Sequence, residues 1–153
     1  MIQSKKIFVV VPAYNAGHPY RQFPAVQDIL NSIFPIRGCV VSRLQSTVLF
    51  DNQGPAYGRR LGASGMLVPA ITLDALLKTH GIRRVDLLKM DIEGAERDVL
   101  AQGQYLESVQ HVIAELHDDY SFSDFSEDVA IHGLQARYPD EECGAVTAHR
   151  CGK

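Results

Sequence analysis

Apolar positions recur along this chain with two rhythms. Residues 7–11 (IFVVV), 38–41 (GCVV), 46–50 (STVLF), 67–71 (LVPAI), 85–90 (VDLLKM) and 111–116 (HVIAEL) are short and apolar, most of them rich in β-branched residues, as strands are. Residues 25–34 (AVQDILNSIF), the segment after Thr72, residues 93–101 and residues 123–133 (SDFSEDVAIHG) read instead as helices. Residues 134–138 (LQARY) and 145–150 (AVTAHR) close the chain as a pair of strands. The regular alternation of strand and helix predicts an α/β fold whose sheet is largely parallel, with an antiparallel pair at the C-terminal end. The run at 85–90 is too apolar for a solvent-facing side, as in a parallel sheet covered by helices on both faces.

Local signals place the ends of these elements. Thr72 is a good N-cap for a helix whose Leu73, Leu76, Leu77 and His80 fall on one face, and Gly81 stops it. His80 reads better as a helix-end residue beside the negative end of the dipole than as a functional imidazole. Glu93 and Arg97 stand at i and i+4 of the next expected helix, with Gly103 just beyond it. Residues 51–65 carry Gly54, Gly58, Gly62 and Gly65 and read as a loop. They match neither a P-loop nor a GxGxxG turn, so no phosphate cradle is read there.

The bulk numbers narrow the class. A chain of 153 residues with 46% hydrophobic and 22% charged content is one globular domain, with no repeat and no low-complexity segment. A net charge of -3 offers no electrostatic case for nucleic acid or an anionic membrane. No segment approaches the roughly 20 apolar residues of a membrane span. Lys5 and Lys6 before an apolar run faintly resemble a short signal peptide, but Pro12, Tyr14 and Asn15 follow at once and favour a first core strand. Cys39, Cys143 and Cys151 are odd in number and form no CxxC pair, so a reduced, cytoplasmic setting is expected. Cys143, His149 and Cys151 fit no familiar zinc spacing.

Candidate chemistry gathers at two strand ends. In open α/β sheets, ligands bind beyond the carboxyl ends of the strands. Lys89, Asp91 and Glu93 alternate along one such end, and Glu115 and His117 along the next. If the two strands are neighbours, three carboxylates, one lysine and one imidazole meet, a set suited to proton transfer. Bland readings compete: Asp91 or Glu93 as a helix cap, Lys89 and Glu115 as a structural ion pair, and Asp118, Asp119, Asp124, Glu127 and Asp128 as a solvated acidic face. A metal held by Asp91, Glu93 and His117 is disfavoured because Lys89 would repel it, so no metal is expected.

The stretch VPAITLDALLKTHGIRRVDLLKMDIEGAERDVL, followed by VQHVIAELH, resembles the second half of the FkbM-type methyltransferase family. The matching features are Leu73-Asp74 opening a helix, the run from Asp86 through Lys89, Asp91, Glu93, Gly94 and Glu96, and Glu115-x-His117 on the next strand. The resemblance covers Leu67 to about His117 well and the last strand pair loosely. It implies a Rossmann-like fold, S-adenosylmethionine as cofactor, and methylation of a hydroxyl on a sugar, lipid or natural product. Asp91 is then expected nearest the methyl-transfer centre, with His117 or Asp91 as base, Glu93 and Glu115 orienting, and Lys89 holding the carboxylates.

Residues 1–66 diverge from that family. Its members open with a strand ending in Asp-x-Gly-x-Asn-x-Gly, where bare backbone lets the cofactor approach. In VVVPAYNAG, Asn15 and Gly17 match the end of that motif, while Val11 and Ala13 stand for its Asp and first Gly. The alternative alignment sets Val11-Pro12 on the Glu-Pro that follows the second strand. On either alignment the fold is short by one strand–helix unit of roughly 30 residues and incomplete at its N-terminus. The same stretch also resembles the opening of family-2 glycosyltransferases, but no Asp-Asp-Gly-Ser or Asp-x-Asp motif follows. The expectation is therefore a methyltransferase-like domain over 1–153, acting on a small hydroxyl acceptor, with a second copy of the chain as a conceivable partner. The competing expectation is an inert methyltransferase-like fragment or interaction domain.

Overall fold

The computed structural model describes residues 7–10, 40–41, 46–50, 63, 65–92, 94–101, 103–138 and 145–151. The expected helix over 25–34, the glycine-rich loop except for residues 63 and 65, Cys39, Cys143, and the candidates Asn15, Gly17 and Glu93 lie outside them. Eight strands are described: β1 (Ile7–Val10), β2 (Val40–Val41), β3 (Ser46–Phe50), β4 (Met66–Ile71), β5 (Leu87–Met90), β6 (His111–Glu115), β7 (Leu134–Arg137) and β8 (Ala145–Arg150). Helices α1 (Leu73–Thr79), α2 (Glu96–Leu100) and α3 (Phe122–Ala130) and a 3-10 turn (Gln104–Ser108) connect them.

The strands form two sheets in a mixed α/β arrangement, which agrees with the expected α/β class and closing antiparallel pair and adds a second sheet that was not expected. One is five-stranded in the order β1-β5-β6-β8-β7; the other is three-stranded in the order β2-β4-β3. In the larger sheet β1, β5 and β6 run parallel, whereas β8 is antiparallel to both β6 and β7. Short apolar runs do not encode strand direction; connections do. The helix-bearing segment from β5 to β6 is long enough for a parallel crossover, while β7 and β8 follow one another as an antiparallel pair. That closing pair was legible from the two adjacent apolar runs.

Leu88, Met90, Val112 and Ala114 are buried on one face of β5 and β6, together with Leu73, Leu76, Leu77, Val99, Leu100, Phe125 and Val129 from the three helices. Phe125 is fully buried, and truncating a side chain of that size costs about 3–5 kcal/mol. The opposite face of β5, bearing Leu87 and Lys89, is only partly covered, so this strand does have a side near solvent.

Capping signals held well. Thr72 accepts from the Ala75 N–H, and His80 closes α1 as an exposed C-cap, followed by Gly81 at φ +62°. The start of α3 comes earlier than expected. Ser121, not Ser123, is its N-cap, in a reciprocal box with Asp124. The helix expected from Glu93 begins only at Glu96, and the expected pair of Glu93 with Arg97 falls on a residue outside those described. Arg97 reaches forward in the chain: Nη2 donates to the Asp119 carbonyl at 2.8 Å and to Asp124 Oδ2 at 3.0 Å, and its guanidinium lies 5.0 Å from the Tyr120 ring centre. This one side chain ties α2 to the segment leading into α3. The supposed acidic face is thus partly engaged, since Asp128 also accepts from the Tyr120 hydroxyl at 2.8 Å. Desolvation first, and that hydrogen bond second, push the Tyr120 phenol well above its ordinary range.

At the other end of the sheet, Arg150 fastens β8. Its Nε, Nη1 and Nη2 donate to the carbonyls of Val109 (3.0 Å), His132 (2.9 Å) and Leu106 (2.5 Å), joining the 3-10 turn with its cap to the turn after α3. Among the described residues, no helix is long and apolar enough to cross a membrane.

Candidate functional site

Parallel pairing of β5 with β6 brings together the two strand ends singled out in the sequence. Met90 pairs with Ala114, so Asp91 leaves β5 beside Glu115, the last residue of β6, with His117 two residues further on. A donor atom from each of Asp91, Glu115 and His117 lies within 4.8 Å of the other two.

Lys89 sits among these acids. Its Nζ is 3.2 Å from Asp91 Oδ2 and 3.6 Å from Glu115 Oε1. The three side chains are 34%, 24% and 46% exposed, so the pairs are screened by water and contribute little to stability. Their value lies in geometry. One ammonium holds two carboxylates together that would otherwise repel. A divalent ion coordinated by Asp91, Glu115 and His117 would have to displace that ammonium, which makes a protein-held metal the poorer use of the cluster.

Behind His117 stands a residue that the sequence reading treated only as part of a motif. Glu96 is the one buried charged residue among those described, at 0% exposure. Its Oε1 accepts from the Ile92 N–H at 2.8 Å, and Oε2 accepts from the Gly94 N–H at 2.9 Å. Oε1 also lies 3.0 Å from His117 Nδ1. Glu96 therefore satisfies backbone donors of the turn before α2, the work suggested for Asp91 or Glu93; the N-cap residue Ala95 makes no side-chain cap bond. Asp91 instead pairs with Lys89. The available signal was the Gly94-x-Glu96 spacing, which sets a carboxylate within reach of its own preceding turn.

The turns after β5 and β6 meet closely. Gly94 has φ +96°, and Asp118 has φ +56°, an unusual conformation for a side-chain-bearing residue that Asp tolerates better than most. A Cβ on Gly94 would fall 2.5 Å from Asp118 Oδ2. Glycine is needed here for its dihedral freedom, while the contact would be relieved by rotation of the exposed Asp118 side chain.

Of the candidates named from sequence, Lys89, Asp91, Glu115 and His117 come together at one sheet edge, while Glu93, Asn15 and Gly17 lie outside the described residues. Lys89, Asp91, Glu115 and His117 lie at the carboxyl ends of parallel strands, where open α/β sheets bind ligands. A model of the FkbM methyltransferase domain matches residues 35–144, most of the chain, and the protein belongs to that family. No curated protein and no solved structure matches the chain significantly.

Proposed function

We propose that this protein transfers a methyl group from S-adenosylmethionine to a hydroxyl oxygen of a small molecule, with His117 as the base. The observation that carries this reading is the pairing of an imidazole, 28% exposed, with a fully buried carboxylate, beside Asp91 at the carboxyl end of parallel strands. His117 suits the base's role better than Asp91. Asp91 Oδ2 is already engaged by the Lys89 ammonium, whereas the His117 imidazole is backed at Nδ1 by the Glu96 carboxylate, an orienting partner for a base.

Methyl transfer needs the acceptor oxygen in line with its target and stripped of its proton, so positioning and a base should supply most of the catalysis. In this reading His117 receives the hydroxyl proton, while Asp91 and Glu115, held by Lys89, orient the acceptor through its hydroxyl groups. Glu93 follows Asp91 in the same motif and is assigned an orienting role with it.

The described acids fit a cationic cofactor: Asp91, Glu115 and Glu96 outnumber the single ammonium of Lys89. S-adenosylmethionine, when bound, supplies an electrophilic methyl group. The carboxyl end of β1, at Val10, lies beside Met90 at the same sheet edge, and Asn15 and Gly17 follow β1 in the sequence as the residues assigned to the cofactor. This arrangement supports reading the larger sheet as part of a Rossmann-like methyltransferase fold.

A second reading, an inert methyltransferase-like or interaction domain, is favoured by one observation. The family match begins at residue 35, after Asn15 and Gly17. Calorimetric titration of the purified chain with S-adenosylmethionine separates the two. Micromolar binding supports the enzyme. No heat at millimolar cofactor, from a sample shown to be folded, overturns it in favour of the inert domain.

A further inference from the structure

We infer that Glu96 is the positioning residue of this site: its buried carboxylate holds His117 as the Nδ1–H tautomer and so presents Nε2 as the proton acceptor. The inference deepens the reading of His117 as base and rests on it for its catalytic meaning, but its structural content can be tested alone.

The argument begins with donors and acceptors. An ionised carboxylate only accepts hydrogen bonds, and both oxygens of Glu96 already receive backbone N–H groups, from Ile92 and Gly94. With Glu96 ionised, the third partner at Oε1, His117 Nδ1 at 3.0 Å, donates as well. A neutral imidazole carries one N–H. If that proton is on Nδ1, the lone pair is on Nε2.

Burial makes the arrangement directional. Glu96 is sealed from water at 0% exposure while His117 is 28% exposed, so the pair has a closed side and an open side. A buried carboxylate left without its partners is costly, which gives the alternative tautomer, with a lone pair aimed at Glu96, a strong penalty. The backbone supports the same geometry. Gly94 supplies one of the two N–H groups, from a positive φ that glycine adopts readily. Two turns from different strands thereby meet around one hydrogen bond.

Glutamine at position 96 tests this only in part. Whichever way its amide is turned, the NH2 group faces an N–H donor. Turned toward Gly94, it opposes that N–H and leaves the oxygen for Ile92 and His117. Turned toward Ile92, it opposes that N–H and offers His117 a donor, which favours the Nε2–H tautomer. The first orientation keeps the Nδ1–H tautomer and the second reverses it, whereas methionine at position 96, with no acceptor for Nδ1–H, removes the control altogether.

The experiment is long-range ¹H–¹⁵N correlation NMR of the full-length, ¹⁵N-labelled chain without ligand, at a pH where imidazoles are neutral. The His117 signals are assigned by their loss in His117→Asn. In the wild type we expect a protonated Nδ1 and an unprotonated Nε2, with the Nδ1–H form in at least about tenfold excess. In folded Glu96→Met that excess should fall several-fold or invert. A wild-type protein with Nε2–H as the main form overturns the inference, whether or not the variant folds. An unchanged tautomer ratio in folded Glu96→Met, which offers Nδ1–H no acceptor, overturns it too, by showing that something other than Glu96 sets it. Cofactor titration run on the same samples separates the outcomes. Correct tautomer control without S-adenosylmethionine binding leaves Glu96 as assigned and removes the proposed activity.

Discussion

Gly94 and Asp118, one on each of the turns that follow β5 and β6, face each other: a Cβ at position 94 would meet Asp118 Oδ2, the end of an exposed side chain, at 2.5 Å. The turn's own positive φ is the larger constraint on residue 94. Gly94→Ala must accept a φ of +96°, and we expect it to cost about 2 kcal/mol. Differential scanning calorimetry would register this as a fall in melting temperature of several degrees. A variant melting with the wild type would show that residue 94 does not hold the positive φ described.

Lys89 and Asp91 should behave as site residues rather than scaffold. Both are partly exposed, so Lys89→Met and Asp91→Asn should each change stability by less than about 1 kcal/mol. Activity should respond far more. Asp91→Asn should abolish release of S-adenosylhomocysteine, and Lys89→Met, which leaves Asp91 and Glu115 without their shared counter-charge, should reduce it at least about tenfold. A large drop in melting temperature with proportionate loss of activity would mark the pair as structural.

The capping box of α3 makes a pH-dependent contribution. Hydrogen bonds from the Ser121 backbone and hydroxyl, with help from Arg97, hold the Asp124 carboxyl below its ordinary value of 3.8. A carboxylate favoured in the folded state stabilises it fully above the unfolded value, and that benefit is lost as pH falls through the lower, folded value. The melting-temperature difference between wild type and Asp124→Asn should therefore be full near neutrality and shrink steadily below pH 3.8. Ser121→Ala should lower the melting temperature by about 3 °C at neutral pH. A difference that grew on acidification would contradict the assignment.

Arg150 should be among the costlier surface-adjacent residues to replace. Its guanidinium satisfies the carbonyls of Leu106, Val109 and His132 together, a fork that an ammonium cannot copy. Arg150→Met should lower stability by about 3 kcal/mol, with Arg150→Lys recovering little of it. Urea denaturation midpoints measure both. A lysine variant as stable as wild type would mean that charge alone, not the planar donor set, fastens β8.

Much of this molecule could be read before folding was considered. The apolar runs of β3 through β8 mark strands because a pleated, half-buried surface selects for them, and Thr72, Gly81 and Gly133 mark helix ends because unsatisfied N–H groups and positive φ need those residue types. Lys89, Asp91, Glu115 and His117 were also legible, since each lies on or just past an apolar strand and alternation sets which residues share a face. Periodicity is local, however, and reaches only about four residues along the chain. The partners that make the site specific are far apart in sequence: Glu96 and His117 are separated by 21 residues, Arg97 and Asp124 by 27, Arg150 and Leu106 by 44. Strand order decides those distances. Glu96 looked like one more acid in a helix, and only the parallel placement of β6 beside β5 turned it into a buried carboxylate backing an imidazole.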